Sequence, residues 1–229
     1  MIDATILKNL SDQDNLSPCL PGLLADSLPD RYGNALINAW LATQGRTSES
    51  FMTRRFDRTE TGGKLHMQSL GALMHFDFNF AGFYGYEQAL QSVRRLGLKM
   101  DAVEQLFRRM VFNIVARNQD DHVKNIAFLM GKAGQWTLAP AFDVIYAFQP
   151  TGLWTSRHQM TLGGKREDFS LDDFKSCARG VSLKRGRAEA ILAEVQTVVS
   201  RWRDYADETG VAPEHRDAIQ NALRLRVFT

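Results

Sequence analysis

The stretch "RNQDDHVKNIAF", residues 117–128, places carboxylates, amides, a histidine and a lysine directly before an apolar run. Asp120 and Asn125 are five positions apart, and Asp143 follows eighteen positions after Asn125. In protein kinases an Asp accepts the proton of the substrate hydroxyl, an Asn at this spacing holds magnesium, and a later Asp holds magnesium beside the nucleotide phosphates. Magnesium prefers oxygen ligands, and phosphoryl transfer depends mainly on positioning and charge neutralisation. The spacing therefore predicts a phosphotransferase site.

Two further side chains of this stretch fit the same chemistry. Lys124 is placed to neutralise phosphate charge, and His122 to form a hydrogen bond with the phosphate or to order it. Each main residue also has a structural interpretation: Asp120 and Asn125 are common turn residues, and Asp143 would suit a buried salt bridge. A D-x₄-N pair alone is expected about once by chance in a chain of this length. The prediction therefore depends on the whole constellation.

Hydrophobic periodicity predicts the elements that would position these residues. Apolar residues recur at helical spacing from Met100 to about Asn118, which predicts a central core helix before the reactive loop. The runs "NIAFLM" and "QWTLA" predict a β-hairpin, and "FMTRRFDR" predicts a strand at 51–58. The other predicted helices are residues 29–45, 66–76, 88–96, 171–178, 184–208 and 213–225. The predicted fold is mainly α, of the α+β class, with a kinase-like helical C-lobe and a small hairpin carrying the catalytic and metal loops.

Composition narrows the classes of protein. The formal net charge is +2, and the basic clusters fall in helical patterns that also carry acidic residues, so direct nucleic-acid binding is not expected. Cys19 and Cys177 form no metal-ligand or disulfide pattern, which favours a reducing cytoplasm. No signal peptide or membrane-spanning run is apparent in the sequence. We expect a cytoplasmic protein without a membrane partner.

Two glycine motifs and three histidines have simpler interpretations. The motifs "TGGK" at 61–64 and "LGGK" at 162–165 lack the G-x-x-x-x-G-K-[ST] pattern of a phosphate loop, so both predict turns. His66, His75 and His158 have no ligand spacing with one another, and we interpret them as structural or surface residues.

At the level of longer motifs, the sequence resembles the HipA family of bacterial toxin-type kinases. The resemblance depends on "PGLLADSLPDRYGNALINAWL", "RRFDR", "HMQSLGAL", "NQDDHVKNIAFLM", "WTLAPAFDVIYAF" and "HQMTLGGKREDF". It implies that Asp120 is the catalytic base, that Asn125 and Asp143 are magnesium ligands, and that His122 and Lys124 lie near the transferred phosphate.

The resemblance also implies ligands and partners. Arg54, Arg55 and Phe56 would form the hinge beside the adenine of ATP, and Mg²⁺ would accompany the nucleotide. Family members phosphorylate a serine or threonine hydroxyl on a protein, in known cases an aminoacyl-tRNA synthetase. Many act in toxin–antitoxin pairs with a DNA-binding antitoxin. By the same resemblance, residues 1–50 would be a remnant of the N-terminal subdomain and residues 51–229 the C-terminal kinase lobe.

One segment departs from the family pattern. Between Arg46 and Phe51, where the family has a loop over the ATP phosphates and a phosphate-binding lysine, this chain has only "TSES". The proton acceptor and metal ligands are retained, whereas much of the phosphate cradle is missing. Two functions stay open: a protein kinase lobe, and an inactive binding module that docks an antitoxin or a partner kinase subunit. A two-metal hydrolase is a third alternative, but the sequence offers no second ligand cluster for it.

Overall fold

The structure, a computed structural model, describes residues 16–18, 52–59 and 61–226. The chain divides into two compact units, Met1–Leu65 and His66–Thr229. The helix predicted at 29–45 and Cys19 lie outside the described residues. The predicted boundary after residue 50 stays a prediction.

The first unit contains a two-stranded antiparallel pair. Strand β1, Leu16–Pro18, pairs with β2, Met52–Arg54, and Leu16 lies opposite Arg54. The strand predicted at 51–58 is therefore shorter than expected. After it the chain turns, with the Gly62 N–H donating to the Thr59 carbonyl and the Thr59 N–H donating to the Gly63 carbonyl. The predicted turn at "TGGK" is confirmed.

The second unit contains a three-stranded antiparallel sheet in the order β3-β4-β5. The predicted hairpin is confirmed as β4, Ala127–Met130, and β5, Trp136–Leu138. The third strand, β3, His66–Ser69, pairs along the other side of β4. The prediction of a continuous helix over 66–76 was wrong, because backbone pairing with the buried β4 holds this segment extended.

Helix α1, Leu70–Met74, begins where β3 ends. The Ser69 hydroxyl accepts a hydrogen bond from the Ala72 N–H, which is an N-cap, and His75 ends the helix in the left-handed region at φ 56°. The Leu70 and Gly71 N–H groups, which have no partner within a helix, donate to the carbonyls of Ile126 and Val123. Helix α1 is therefore bonded to the loop that precedes β4.

Helices form the rest of the second unit. They are α2, Tyr86–Arg95; α3, Met100–Val115; α4, Leu171–Gly180; α5, Arg187–Val199; α6, Trp202–Glu208; and α7, Pro213–Ala222. Helix α3 is the predicted central helix: it buries seven apolar side chains, Val103, Leu106, Phe107, Met110, Val111, Ile114 and Val115. Its long apolar face packs against α2 and α5, and its end leads into the reactive loop.

One predicted helix, 184–208, is interrupted. Helix α5 ends at Val199 and α6 begins at Trp202. At the break, the Ser200 hydroxyl donates to the Thr197 carbonyl, and the Arg201 N–H donates to the carbonyl of Val198. The Arg201 N–H thus bonds three residues back instead of four, the tighter pattern that is common where an α-helix ends.

The fold class agrees with the prediction at a coarse level, as a mixed α and β structure with a small antiparallel sheet. None of the described helices is long and apolar enough to cross a membrane. The "LGGK" segment forms the predicted turn, in which Leu162 and Lys165 exchange backbone hydrogen bonds and Gly163 and Gly164 have positive φ.

Candidate active site

Two loops lie side by side at one end of the three-stranded sheet. The first, 116–126, connects α3 to β4, and the second, 139–147, follows β5. They are joined by backbone hydrogen bonds: the Gln119 N–H donates to the Ala147 carbonyl over 3.1 Å, and the Ala147 N–H donates to the Arg117 carbonyl over 3.0 Å. The sheet and this pairing bring together residues that are far apart in sequence.

Asn125 connects the two loops through its side chain. Its amide nitrogen donates to the backbone carbonyl of Asp120 over 2.9 Å and to Oδ2 of Asp143 over 2.9 Å. The Asn125 N–H also donates to the His122 carbonyl, which closes a turn within the first loop. The three residues predicted from their spacing therefore lie together.

The charged groups around Asp120 have opposite effects on its pKa. Burial raises the pKa of Asp120, His122 and Lys124 lower it, and the nearby carboxylates of Asp143 and Asp121 raise it further. The net direction is upward. The Nε2 atom of His122 lies 4.0 Å from Oδ1 of Asp120. A cation near Asp143 and Asp120 would relieve the repulsion between their carboxylates.

A cavity of about 380 Å³ opens beside the cluster. Its walls include Asn118, His122, Asn125 and Asp143. The Oδ1 atom of Asn118 and the Nδ1 atom of His122 are buried and have no hydrogen-bond partner among the described residues. Buried polar atoms are normally paired, so these two atoms mark a place where a polar ligand or water would complete the site.

The residues fit a magnesium ion that is held by few protein side chains and is bound mainly by water and phosphate oxygens. The Asn125 amide and the Asp143 carboxylate both have oxygen atoms, and in this structure the Asn125 amide nitrogen donates to Oδ2 of Asp143. Magnesium is typically bound through one or two protein carboxylates together with waters and phosphates. Within the described part of the chain, no group of three His, Cys, Asp or Glu side chains is arranged to hold a metal ion. A two-metal hydrolase would need such a group.

Lys124 lies over an aromatic ring that the sequence analysis did not single out. Its ammonium nitrogen is 3.9 Å from the centroid of Phe78, and that ring is 6.4 Å from the ring of His122. Phe78 is 44% exposed. The signal for this contact was weak, because a single phenylalanine in the stretch "FDFNF" carries no spacing rule.

Asp121 was also missed, although it is adjacent to Asp120. Its carboxylate is fully buried and accepts hydrogen bonds from the Tyr86 hydroxyl at 2.5 Å, from Nδ1 of His158 at 2.8 Å and from the Gln159 N–H at 2.7 Å. Burial raises the pKa of Asp121, but the electrostatic effect of His158 and these hydrogen bonds lower it by more, so it lies below its ordinary value. The interpretation of His158 as structural is consistent with its complete burial.

The predicted hinge residues belong to the first unit. Arg54 ends β2, and Arg55 is buried and donates from Nε to Oδ1 of Asp57 over 2.8 Å. Burial raises the pKa of Asp57, but pairing with Arg55 and Arg58 lowers it by more, so the net direction is downward. Phe56 is partly buried. The role of Arg54, Arg55 and Phe56 beside adenine stays a prediction.

Comparisons with known proteins agree with this architecture. The family model described as HipA-like C-terminal domain matches residues 23–202. Among solved structures, the chain is similar to that of the Shewanella oneidensis MR-1 toxin–antitoxin system HipA, HipB and operator DNA complex, with a TM-score of 0.62 and 12% identity. The match covers 94% of this chain and 50% of that chain, so this chain spans about half its length. No curated protein matches.

At this low identity the solved structure supports the fold alone, whereas the family model matches well over half of the sequence. Its range includes both loops of the candidate site, with Asp120, Asn125 and Asp143. The chain therefore belongs to the HipA family, and the matched part is a HipA-like C-terminal domain.

Proposed function

We propose that this chain is the catalytic lobe of a HipA-type protein kinase that transfers the γ-phosphate of ATP to a serine or threonine hydroxyl of a protein. The observation that carries the proposal is the Asn125 side chain, which bonds both the Asp120 backbone and the Asp143 carboxylate. This contact joins the backbone of the proposed proton acceptor to the carboxylate of a proposed magnesium ligand, and phosphoryl transfer requires such groups to lie close together.

Asp120 is the proton acceptor in this proposal. Its side chain is 39% exposed, so a hydroxyl of another protein can approach it. As the hydroxyl oxygen bonds to phosphorus, its proton moves to the Asp120 carboxylate and the bond to the ADP oxygen breaks. Because burial and the neighbouring carboxylates raise the pKa of Asp120, it holds that proton better than an ordinary aspartate does.

Asn125 and Asp143 would hold the magnesium ion, which supplies charge neutralisation at the phosphates when bound. His122 and Lys124 lie on the same loop as Asp120 and bring two nitrogen donors to the phosphate side of the site. The ring of Phe78 keeps the Lys124 ammonium near His122.

A toxin–antitoxin role is part of the proposal. The similar solved structure is that of a HipA, HipB and operator DNA complex, which supports a DNA-binding antitoxin as the partner of this chain. The protein substrate stays a prediction; the family resemblance points to an aminoacyl-tRNA synthetase. The cytoplasmic location expected from the cysteine content also stays a prediction.

The second candidate is an inactive binding module that docks an antitoxin or a partner kinase subunit. One observation favours it: only "TSES" separates Arg46 from Phe51, where the family has the covering loop and the phosphate-binding lysine. In this alternative the loops keep their shape, but the phosphates lack the lysine and covering loop that hold them.

Nucleotide-dependent stabilisation separates the two candidates. A ligand that binds only the folded state raises the melting temperature, so ATP analogue with Mg²⁺ should stabilise a kinase lobe and leave a binding module unchanged. Asp143→Asn should abolish the Mg²⁺-dependent part of the stabilisation. Asp172→Asn is the matched control, because the Asp172 side chain is 91% exposed and lies on α4. No stabilisation of the wild-type chain at millimolar nucleotide would contradict the kinase proposal.

A further inference from the structure

A chain of buried hydrogen bonds begins at Arg224, which follows α7. Its Nη1 atom lies 2.8 Å from Nε2 of His158. A guanidinium can only donate, so Nε2 of His158 accepts and the ring hydrogen is on Nδ1. That hydrogen is donated to Oδ2 of Asp121 over 2.8 Å. Arg224 therefore fixes the tautomer of His158, and His158 in turn fixes one donor to the buried carboxylate.

The chain continues on the other side of Asp121. The Tyr86 hydroxyl donates to Asp121 and accepts from Nδ2 of Asn113 over 3.0 Å. Oδ1 of Asn113 then accepts from Nδ2 of Asn118 over 3.1 Å, and the same nitrogen lies 3.3 Å from the carbonyl oxygen of Asp143. Burial and the adjacent carboxylate raise the pKa of Tyr86, so its hydroxyl keeps the proton that this direction requires.

The middle of this chain and its last acceptor both lie at the candidate site. Asp121 is covalently next to Asp120, and the last acceptor is the backbone of Asp143, which has a φ of 53° in the left-handed region. The participating side chains of Tyr86, Asp121 and His158 are almost completely buried. An ionised carboxylate at such a place is strongly destabilising unless its hydrogen bonds are made. A shift of the first loop that moved Asp121 would break these hydrogen bonds, so they oppose such a shift.

We infer that Asp121 is a positioning residue, which through Tyr86, Asn113 and Asn118 holds the loop of Asp120 and the loop of Asp143 in register. Its importance for phosphoryl transfer rests on the proposed function, whereas the positioning itself is a property of the free chain. Asp120 would accept the proton, and Asp121 would keep Asp120 and Asp143 at the distance that the reaction needs.

The backbone pairing between the two loops gives a direct test that needs no ligand. Tyr86→Phe removes one hydroxyl and keeps the buried ring. We expect hydrogen exchange at the Gln119 and Ala147 amides, followed by NMR, to become roughly tenfold faster or more, as loss of a hydrogen bond to a charged group implies. Amides of α5 are the internal control: they should keep their wild-type rates if the change is local to the loops. A general loss of stability would accelerate them as well.

Tyr84→Phe is the matched control. The Tyr84 hydroxyl accepts from the Asp77 N–H over 2.8 Å and has no contact with the chain of hydrogen bonds described above. Both loop amides should exchange at wild-type rates in this variant. Equal acceleration in Tyr84→Phe and Tyr86→Phe would contradict the inference, since it would show a general response to loss of a hydroxyl.

Asn113→Ala is a second variant that interrupts the same chain from helix α3. Alanine is a good helix former and Asn113 is only partly buried, so this variant should fold if Tyr86→Phe does not. In the double variant, the Gln119 and Ala147 amides should exchange no faster than in either single variant, because both substitutions interrupt the same chain of hydrogen bonds. Wild-type exchange in both single variants would overturn the inference.

Affinity for ATP analogue with Mg²⁺ separates this inference from the proposed function. We expect Kd to increase about tenfold in Tyr86→Phe, if the loss of one connection is transmitted to Asp143. A wild-type chain that binds no nucleotide would overturn the proposed function, while the exchange rates would still decide the positioning role. Accelerated exchange with an unchanged Kd would overturn the part of the inference that concerns Asp143.

Discussion

Two adjacent aspartates, Asp120 and Asp121, occupy opposite sides of one loop and have opposite surroundings. Asp121 is fully buried with its hydrogen bonds made, and its pKa lies below the ordinary value. Asp120 is partly exposed, lies near Asp143, and has a raised pKa. The same loop carries Asn118 Oδ1 and His122 Nδ1, two buried atoms that lack partners among the described residues.

Under the proposed function, this difference separates the supporting role of Asp121 from the reactive role of Asp120. Interactions around Asp121 are complete in the free chain, so they stabilise the fold and need no ligand. Interactions around Asp120 are incomplete and partly repulsive, which is the usual condition of a site that a ligand completes. Substitutions at the two positions should therefore affect different measurements.

The largest expected effect is on phosphotransfer. Asp120→Asn removes the proton acceptor and keeps the shape, so the rate should fall by about 10² to 10⁴-fold while the melting temperature hardly changes. The measurement is transfer from labelled ATP to a protein acceptor, or to the chain itself. The Asp172→Asn control should retain the wild-type rate, and unchanged transfer by Asp120→Asn would refute its assignment as the base.

The next effect is on folding. Asp121→Ala leaves the Tyr86 hydroxyl and the His158 N–H buried without an acceptor, so the free energy of unfolding should fall by about 3–5 kcal/mol. Asp120→Ala should change it by less than about 1 kcal/mol, because the folded state already disfavours the ionised carboxyl. Urea denaturation of both variants measures the difference. Equal destabilisation would remove the distinction between the two aspartates.

The pH dependence of stability should have opposite signs at the two positions. Asp121 has a lowered folded pKa, so its contribution is present above the unfolded pKa and is lost as pH falls through the folded value. Asp120 has a raised folded pKa, so it destabilises the fold at neutral pH and this effect disappears as pH falls through that value. Denaturation curves of wild type, Asp120→Asn and Asp121→Asn from neutral to acidic pH give the comparison.

In those curves, Asp121→Asn should reduce the loss of stability that the wild type shows as pH falls. Asp120→Asn should remove the small gain of stability that the wild type shows as Asp120 becomes protonated. The same sign for both variants would show that one of the two pKa directions is wrong.

The smallest expected effect concerns the aromatic ring beside the loop. Phe78→Leu keeps apolar contact but removes the ring under the Lys124 ammonium, so nucleotide affinity should fall about two- to fivefold. Phe83→Leu is the matched control, because Phe83 is 73% exposed and contacts other aromatic rings. A larger loss in the control would show that the exposed aromatic segment acts through another contact.

The sequence determined the central helix and the hairpin, and it indicated three candidate site residues that the fold brings together. Strict helical spacing from Val103 to Val115 left few alternatives for α3, and oxygen-donor side chains at kinase spacing indicated the site. Local signals did not reveal β3, because strand pairing depends on a partner sixty residues away along the chain. The break after α5 was missed for a similar reason, since one serine does not exclude a continuous helix.

The sequence by itself therefore determined which chemical groups this protein has and the order in which they occur. Only the tertiary structure decided which of two neighbouring aspartates is partly exposed and which is buried, because that depends on donors from α2, α3 and the segments around His158 and Arg224. These donors are distant in sequence, and no local pattern specifies their meeting. The physical reason is the cost of burying a charge, which is offset only where the folded chain brings the donors together.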